Sequence, residues 1–352
     1  MSKMLDEIRQ QPDALLRTLE EGVAQIEALR ERFTRKRPRF VVLAARGTSD
    51  NAAQFARYLI EITTGIPVSL AAPSVYTLYH SELQLQDALL VAVSQSGEST
   101  DINLVLESGR KAGATTVAIT NEAESTMAKL ADEVILVRAG RELSVAATKT
   151  YTGQLMAFYL LAYALGAPIA LDQLRGIPAS AQSALDLYDT VREVSGRYRF
   201  MDHAVVVGRG INYANVFEFA LKMMETCYVI AERFSIADFH HGPIAMLEKD
   251  FPVFLFAPPG VAGESAEGLL AKARELRAET LVITDDSNQT MAKESESRLV
   301  LRNVVHGDSL PADLFTPIPY IVPAQLFAAC LAEHKQLNPD APRTLSKVTK
   351  TI

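Results

Sequence analysis

The stretch Ile119-Thr120-Asn121-Glu122-Ala123-Glu124-Ser125-Thr126-Met127-Ala128-Lys129 recurs as Ile283-Thr284-Asp285-Asp286-Ser287-Asn288-Gln289-Thr290-Met291-Ala292-Lys293, 164 positions on. Upstream, Asp87-Ala88-Leu89-Leu90-Val91-Ala92-Val93 answers to Asp250-Phe251-Pro252-Val253-Phe254-Leu255-Phe256, and Arg46-Gly47 answers to Arg209-Gly210; both pairs lie 163 apart. One spacing shared by three separate segments marks a duplicated domain. The copies diverge just after their apolar runs. Val93 is followed by Ser94-Gln95-Ser96-Gly97-Glu98-Ser99-Thr100, but Phe256 is followed by Ala257-Pro258-Pro259-Gly260. Only the first copy offers hydroxyl groups there.

Each copy alternates short Val/Ile/Leu runs with amphipathic stretches, the pattern of a parallel sheet covered on both faces. Strands are expected at 40–44, 68–71, 88–93, 116–119 and 134–137, and in the second copy at 204–208, 227–231, 252–257, 280–283 and 298–301. Helices are expected at 49–63, 100–112, 125–131 and 151–165, with one helical stretch over 170–197 and one or two surface helices over 4–34. The fold class is α/β: two tandem doubly wound parallel-sheet domains with flanking helices and a C-terminal tail. The expected segments are 1–34 (helical), 35–168 (first domain), 169–197 (connecting helix), 198–335 (second domain) and 336–352 (tail). Ligands of such domains bind beyond the carboxyl ends of the strands, where helix N-termini point.

The chain has 352 residues and a formal charge of −7, with no basic stripe, so no nucleic-acid partner is expected. No apolar run has the length of a membrane span, so no membrane partner is expected either. Two cysteines without metal-ligand spacing point to buried thiols in a reducing, cytoplasmic setting.

The Ser94–Thr100 loop follows a buried strand and opens a helix, and its hydroxyls, amide and backbone N–H groups form a phosphate cradle. It contains no Lys or Arg, which suits one sugar phosphate better than a polyphosphate, and it lacks the Gly-Lys-Ser/Thr of a P-loop. Gly47-Thr48-Ser49-Asp50 reads as a helix cap near Asn51 and a second wall of the same pocket. Gly208-Arg209-Gly210 begins like a dinucleotide fingerprint, but Tyr213 stands at the third glycine position, so no nicotinamide cofactor is expected. Over 214–228, Phe217, Leu221, Met224 and Tyr228 form an apolar stripe. Glu218, Lys222 and Glu225 share an adjacent face that spacing alone describes as a solvated ladder. His240-His241-Gly242-Pro243 lacks further metal ligands, and leaves open both a plain loop histidine and a proton-transfer histidine.

Together these pieces resemble the sugar isomerase (SIS) family, and most of all the isomerase domain of glucosamine-6-phosphate synthase and the stand-alone SIS-type glucosamine-6-phosphate deaminases. The resemblance spans about 35–352. It is carried by Gly47-Thr48-Ser49, Ser94–Ser99, Val145-Ala146-Ala147-Thr148-Lys149, Ala220-Leu221-Lys222 through Glu225, His241-Gly242-Pro243 and Pro342-Arg343 through Lys347. It implies that Thr48, Ser94, Gln95, Ser96 and Ser99 hold the sugar phosphate, that Val145 and Ala147 contact the sugar, and that Lys222 lies near its hydroxyls. It further implies that Glu225 moves the proton between C1 and C2, that His241 opens the ring, and that Lys347 forms a Schiff base or acts beside it. A homodimer with His241 shared across the interface is implied, without metal or cofactor.

The chain departs from the synthase at Arg46 (commonly cysteine), Ala147 (serine), Met224 (lysine), Ser346 (alanine) and in its last residues. Ser2 stands where the synthase has its glutaminase cysteine. The expected reaction is therefore deamination with isomerisation of glucosamine 6-phosphate to fructose 6-phosphate and ammonia. The alternatives are a fructosamine-phosphate deglycase and an isomerase or aminotransferase domain of the synthase type.

Overall fold

A computed structural model of the chain describes residues 2–345 and Lys347. The departures at Ser346 and beyond Lys347 lie outside the described residues. The chain forms two compact units. One gathers residues 13–142 and 149–175 with Leu345 and Lys347; the other gathers residues 2–12, 143–148 and 176–344.

After α1 (Lys3–Arg9) and α2 (Gln11–Arg35) come β1 (Phe40–Ala44), α3 (Thr48–Thr64), β2 (Val68–Leu70), α4 (Pro73–Thr77) and β3 (Ala88–Ser94). Then follow α5 (Thr100–Lys111), β4 (Thr115–Thr120), α6 (Thr126–Leu130), β5 (Glu133–Leu136) and α7 (Lys149–Ala164). The five strands pair in parallel in the order β2-β1-β3-β4-β5. All seven residues of β3 are buried, which is why it reads as an unbroken apolar run. One face packs Val42, Leu90 and Ala118 against Ile102, Val105 and Met127. Elsewhere in this unit Phe55 of α3 meets Tyr159 of α7 edge-on at 5.0 Å. All sixteen residues of α7 are buried, so it shows no polar stripe.

Helices α8 (Leu171–Leu185) and α9 (Tyr188–Gly196) replace the single expected helix of 170–197. The second copy runs β6 (His203–Gly208), α10 (Tyr213–Cys227), β7 (Ile230–Ser235), α11 (Ile236–His240), β8 (Pro252–Phe256), α12 (Gly263–Glu275), β9 (Glu279–Asp285), α13 (Gln289–Glu294), β10 (Ser297–Leu301) and α14 (Pro317–His334). Its order, β10-β9-β8-β6-β7, is that of the first sheet. Phe254 of β8 contacts Phe219 of α10 and Phe327 of α14 at 5.2 and 5.0 Å.

The expectation of a strand at 227–231 is corrected. Helix α10 runs on to Cys227 and stops at Tyr228 in the left-handed conformation (φ 54°), so β7 begins only at Ile230. The buried helical face of Phe219, Met223 and Cys227 outweighs the strand preference of Tyr228-Val229-Ile230.

Among the described residues no helix is long and apolar enough to cross a membrane.

Candidate active site

In the first copy β1 runs on to β2 on one side, and β3 runs on to β4 on the other. The crevice between the carboxyl ends of β1 and β3 is therefore the topological switch point, where ligands bind in such sheets. Gly47-Thr48-Ser49 follows β1, and Ser94–Ser99 follows β3.

Helix α3 starts at Thr48, with Gly47 at the N-cap (φ 55°) and no side-chain cap. The expected capping by the 47–50 segment is thus corrected. Ser49 is buried, and its Oγ accepts a hydrogen bond from Gln154 Nε2 at 3.0 Å. In the loop after β3, Ser94 Oγ accepts from Gly97 N at 3.2 Å and lies 3.2 Å from Ser99 Oγ. Ser96 Oγ accepts from Glu98 N at 3.3 Å. The Gln95 carbonyl accepts from Asn121 N at 3.1 Å. Glu98 accepts from Thr126 N and Thr126 Oγ1, both at 2.8 Å, and these bonds hold its pKa below the ordinary glutamate value. Gly97 turns the chain at φ 66°, where an added Cβ would lie 2.2 Å from Ser125 Oγ. Ser99 is the N-cap of α5, yet its side chain makes no cap bond. Its hydroxyl faces Ser94 instead, and of the helix's first N–H groups the Ile102 amide donates to Asp101 Oδ1 at 2.9 Å. Thr48, Ser94, Gln95, Ser96 and Ser99 thus all lie at or just beyond the carboxyl ends of the neighbouring strands β1 and β3.

Lys347 belongs to the same unit. Its Nζ donates to Glu142 Oε2 at 2.9 Å. That carboxylate has no exposed side-chain surface, and it also accepts from Thr150 N at 3.2 Å and Thr150 Oγ1 at 2.6 Å. Sequence reasoning missed Glu142, because its partner lies 205 positions along the chain and no local spacing announces it.

In the other unit, α10 carries Glu218, Lys222 and Glu225. Lys222 Nζ lies 2.7 Å from Glu225 Oε2 and 3.4 Å from Glu218 Oε1. The side chains of Lys222 and Glu218 are 0% exposed and that of Glu225 is 23% exposed. The solvated ladder suggested by spacing is overturned: this face is buried, while the expected apolar stripe of Phe217, Leu221, Met224 and Tyr228 is only half-buried. Val145 and Ala147 are half-buried in the 143–148 segment, whose Leu143 and Ser144 amides donate to Glu7. His240 and His241 are both exposed, and the turn closes by His241 N donating to Asp238 O at 3.0 Å. Tyr228 Oη accepts from Arg343 N at 2.8 Å, and the Arg343 guanidinium stacks 4.5 Å from its ring, docking that part of the tail.

A cleft of about 890 Å³ between α4 and the C-terminal half of α5, lined by Tyr76, His80, Leu83, Gln84, Leu104 and Lys111, contains none of these residues. It opens at the amino end of β3, the end opposite to that used by ligands in such sheets. No cluster of three or more His, Cys, Asp or Glu among the described residues is placed to hold a metal ion.

The SIS domain family matches the chain twice, over residues 35–164 and 199–328. The chain belongs to the SIS family. It is 34% identical over 350 residues to the glutamine–fructose-6-phosphate aminotransferase (isomerizing) of Pyrococcus horikoshii, covering 98% of this chain and 57% of that protein. The chain thus spans little more than half the length of this relative. Its fold is similar to the C-terminal domain of glucosamine-fructose-6-phosphate aminotransferase from Francisella tularensis, with a TM-score of 0.88, 26% identity, and 97% and 98% of the two chains covered. It is also similar in fold to the glucosamine-6-phosphate deaminase of Thermotoga maritima, with a TM-score of 0.79, 23% identity, and 99% and 100% covered. The tandem SIS domains are therefore as the sequence predicts, with the serine loop in the first.

Proposed function

We propose that this SIS chain is an isomerising amino-sugar-phosphate deaminase: glucosamine 6-phosphate plus water gives fructose 6-phosphate plus ammonia. The observation that carries the reading is the Glu225 carboxylate, partly open to solvent and held at 2.7 Å by a lysine with no exposed surface. A carboxylate held in place by a fixed lysine, yet reachable, is suited to take a proton from carbon and return it to the neighbouring atom. The hydroxyl-bearing loop that leads into the α5 N-terminus supports a phosphate monoester as the handle of the substrate.

In this reading Thr48, Ser94, Gln95, Ser96 and Ser99 bind the phosphate, while Val145, Ala147 and Lys222 contact the sugar. His241 opens the ring, and in a homodimer it would come from the partner subunit. Glu225 removes the C2 proton and delivers it to C1. The C2 imine so formed takes up water and expels ammonia. Lys347, charge-paired with Glu142, serves the open-chain carbonyl.

Burial raises the Cys227 thiol to about 11 and the Cys330 thiol to about 12, so neither is a reactive thiolate. The aminotransferase name of the 34%-identical relative favours a second reading, in which the same residues run from fructose 6-phosphate toward the amino sugar.

The test is to incubate the chain with glucosamine 6-phosphate and measure ammonia and fructose 6-phosphate together. Equimolar release of both is expected. Release of neither, with conversion of fructose 6-phosphate and ammonia instead, favours the second reading.

A further inference from the structure

The serine loop contains no cation, yet one stands across the crevice from it. Arg46 follows β1, and its Nε donates to Asp101 Oδ2 at 2.7 Å. Asp101 lies in the first turn of α5, two residues after the N-cap Ser99, with its side chain 1% exposed. Its second oxygen accepts from the Ile102 amide at 2.9 Å. The Arg46 side chain is 52% exposed. Because Nε is the atom engaged, both Nη groups are left without a hydrogen bond among the described residues.

We propose that Arg46 is a further phosphate-binding residue of this site, fixed by Asp101 so that its Nη groups meet the phosphoryl oxygens of a phosphate-monoester substrate. The inference rests on the reading of the serine loop as a phosphate cradle.

Three physical points carry it. A carboxylate in the first turn of α5 would by itself repel a dianion bound at that helix end, and an arginine paired with it offsets that charge. A guanidinium anchored through Nε still presents a fork whose planar geometry suits two phosphate oxygens. The duplicated copy supplies an internal comparison. Arg209 and Glu264 stand 163 positions after Arg46 and Asp101, where the strand-end loop is Ala257-Pro258-Pro259-Gly260. Among the described residues Arg209 and Glu264 form no ion pair. The pair is present in the copy that has the hydroxyl loop and missing in the copy that does not.

The experiment uses the full chain and inorganic phosphate as the probe, with binding read by calorimetry and by competitive inhibition. The unaltered chain binds phosphate, and Ser96→Ala weakens it. Arg46→Ala is expected to weaken phosphate binding by about ten- to a hundredfold, the range of a lost charged hydrogen bond. Arg46→Lys, which keeps the charge beside Asp101, recovers part of the loss and controls for folding. The double variant Arg46→Met/Asp101→Asn removes both charges, and weak binding is expected to persist.

Phosphate binding by Arg46→Ala equal to that of the unaltered chain overturns the proposal. So does full recovery in the double variant, which would make Arg46 a neutraliser of Asp101 and nothing more. Failure of the unaltered chain to bind phosphate at all overturns the cradle reading together with this one. Loss confined to the Arg46 variants leaves the deaminase assay to stand or fall separately.

Discussion

Glu225 is the proton carrier of the proposed reaction, and its setting is electrostatic. Lys222 and Glu218 have no exposed side-chain surface, and burying such charges is tolerable only because they are paired. That pairing fixes the lysine, and the lysine fixes the one carboxylate of the two that reaches solvent. Glu225→Gln keeps the shape and loses the base. Turnover is expected to fall by about 10²–10⁴-fold while inorganic phosphate binds as before; steady-state kinetics beside calorimetry separate the two effects. The sequence spacing put Glu218, Lys222 and Glu225 on one face but assigned that face to solvent. Heptad-like spacing reports which residues share a face, and only tertiary packing decides which face is inside. Glu142 was invisible for a related reason: its role depends on Lys347, and a contact of 205 positions leaves no local pattern.

Among the elements, the turn from β3 into α5 was the most legible. A fully buried apolar run followed by small polar residues and a glycine can hardly be other than a strand end entering a helix. What the sequence did not reveal is that Ser99 declines to cap the helix and faces Ser94 instead. Gly97 is the pivot of the turn. Gly97→Ala would force a left-handed conformation on a residue with a Cβ and drive it into Ser125. A stability loss of about 1–3 kcal/mol and loss of phosphate binding are expected, read by denaturant unfolding and calorimetry.

The second copy ends its strands differently. Burial raises the pKa of Asp313 above the ordinary aspartate value. A raised carboxyl pKa means the fold favours the protonated form, so its contribution is fully present below the unfolded pKa and is lost as pH rises through the folded one. Asp313→Asn is therefore expected to raise the melting temperature at pH 7 and to give no gain below the ordinary carboxylate range. A gain that stays constant with pH would contradict this.

At the scale of the whole molecule, the duplication explains most of what could be read from the chain. A shared offset of 163–164 positions dictated two sheets of the same strand order, and the family matches fall on both. The two copies differ in a few residues after β3 and β8, where hydroxyls in one correspond to prolines in the other. The edge strand β7 was misplaced because its inner pattern is broken by Glu232 and Arg233, as edge strands allow.

The chain's two thiols report on the core as a whole. Since burial raises Cys227 to about 11 and Cys330 to about 12, both stay protonated at pH 8 in the folded protein. Their contribution to stability is complete below the ordinary thiol pKa and declines as pH rises toward those values. A thiol reagent at pH 8 is expected to leave the native chain unmodified and to titrate both cysteines in guanidinium chloride. Rapid reaction of either in the native chain would contradict the packing described.

The central claim is proton transfer by Glu225 coupled to loss of the amine, and deuterium at C2 of glucosamine 6-phosphate follows it most directly. The measurement is NMR of the products beside the rate of ammonia release, for the unaltered chain and for Glu225→Gln. The account predicts a slowed rate with the deuterated substrate, deuterium recovered at C1 of fructose 6-phosphate or in the solvent, and almost no ammonia from the variant. Ammonia released with deuterium still on C2, or at full speed from Glu225→Gln, would contradict it.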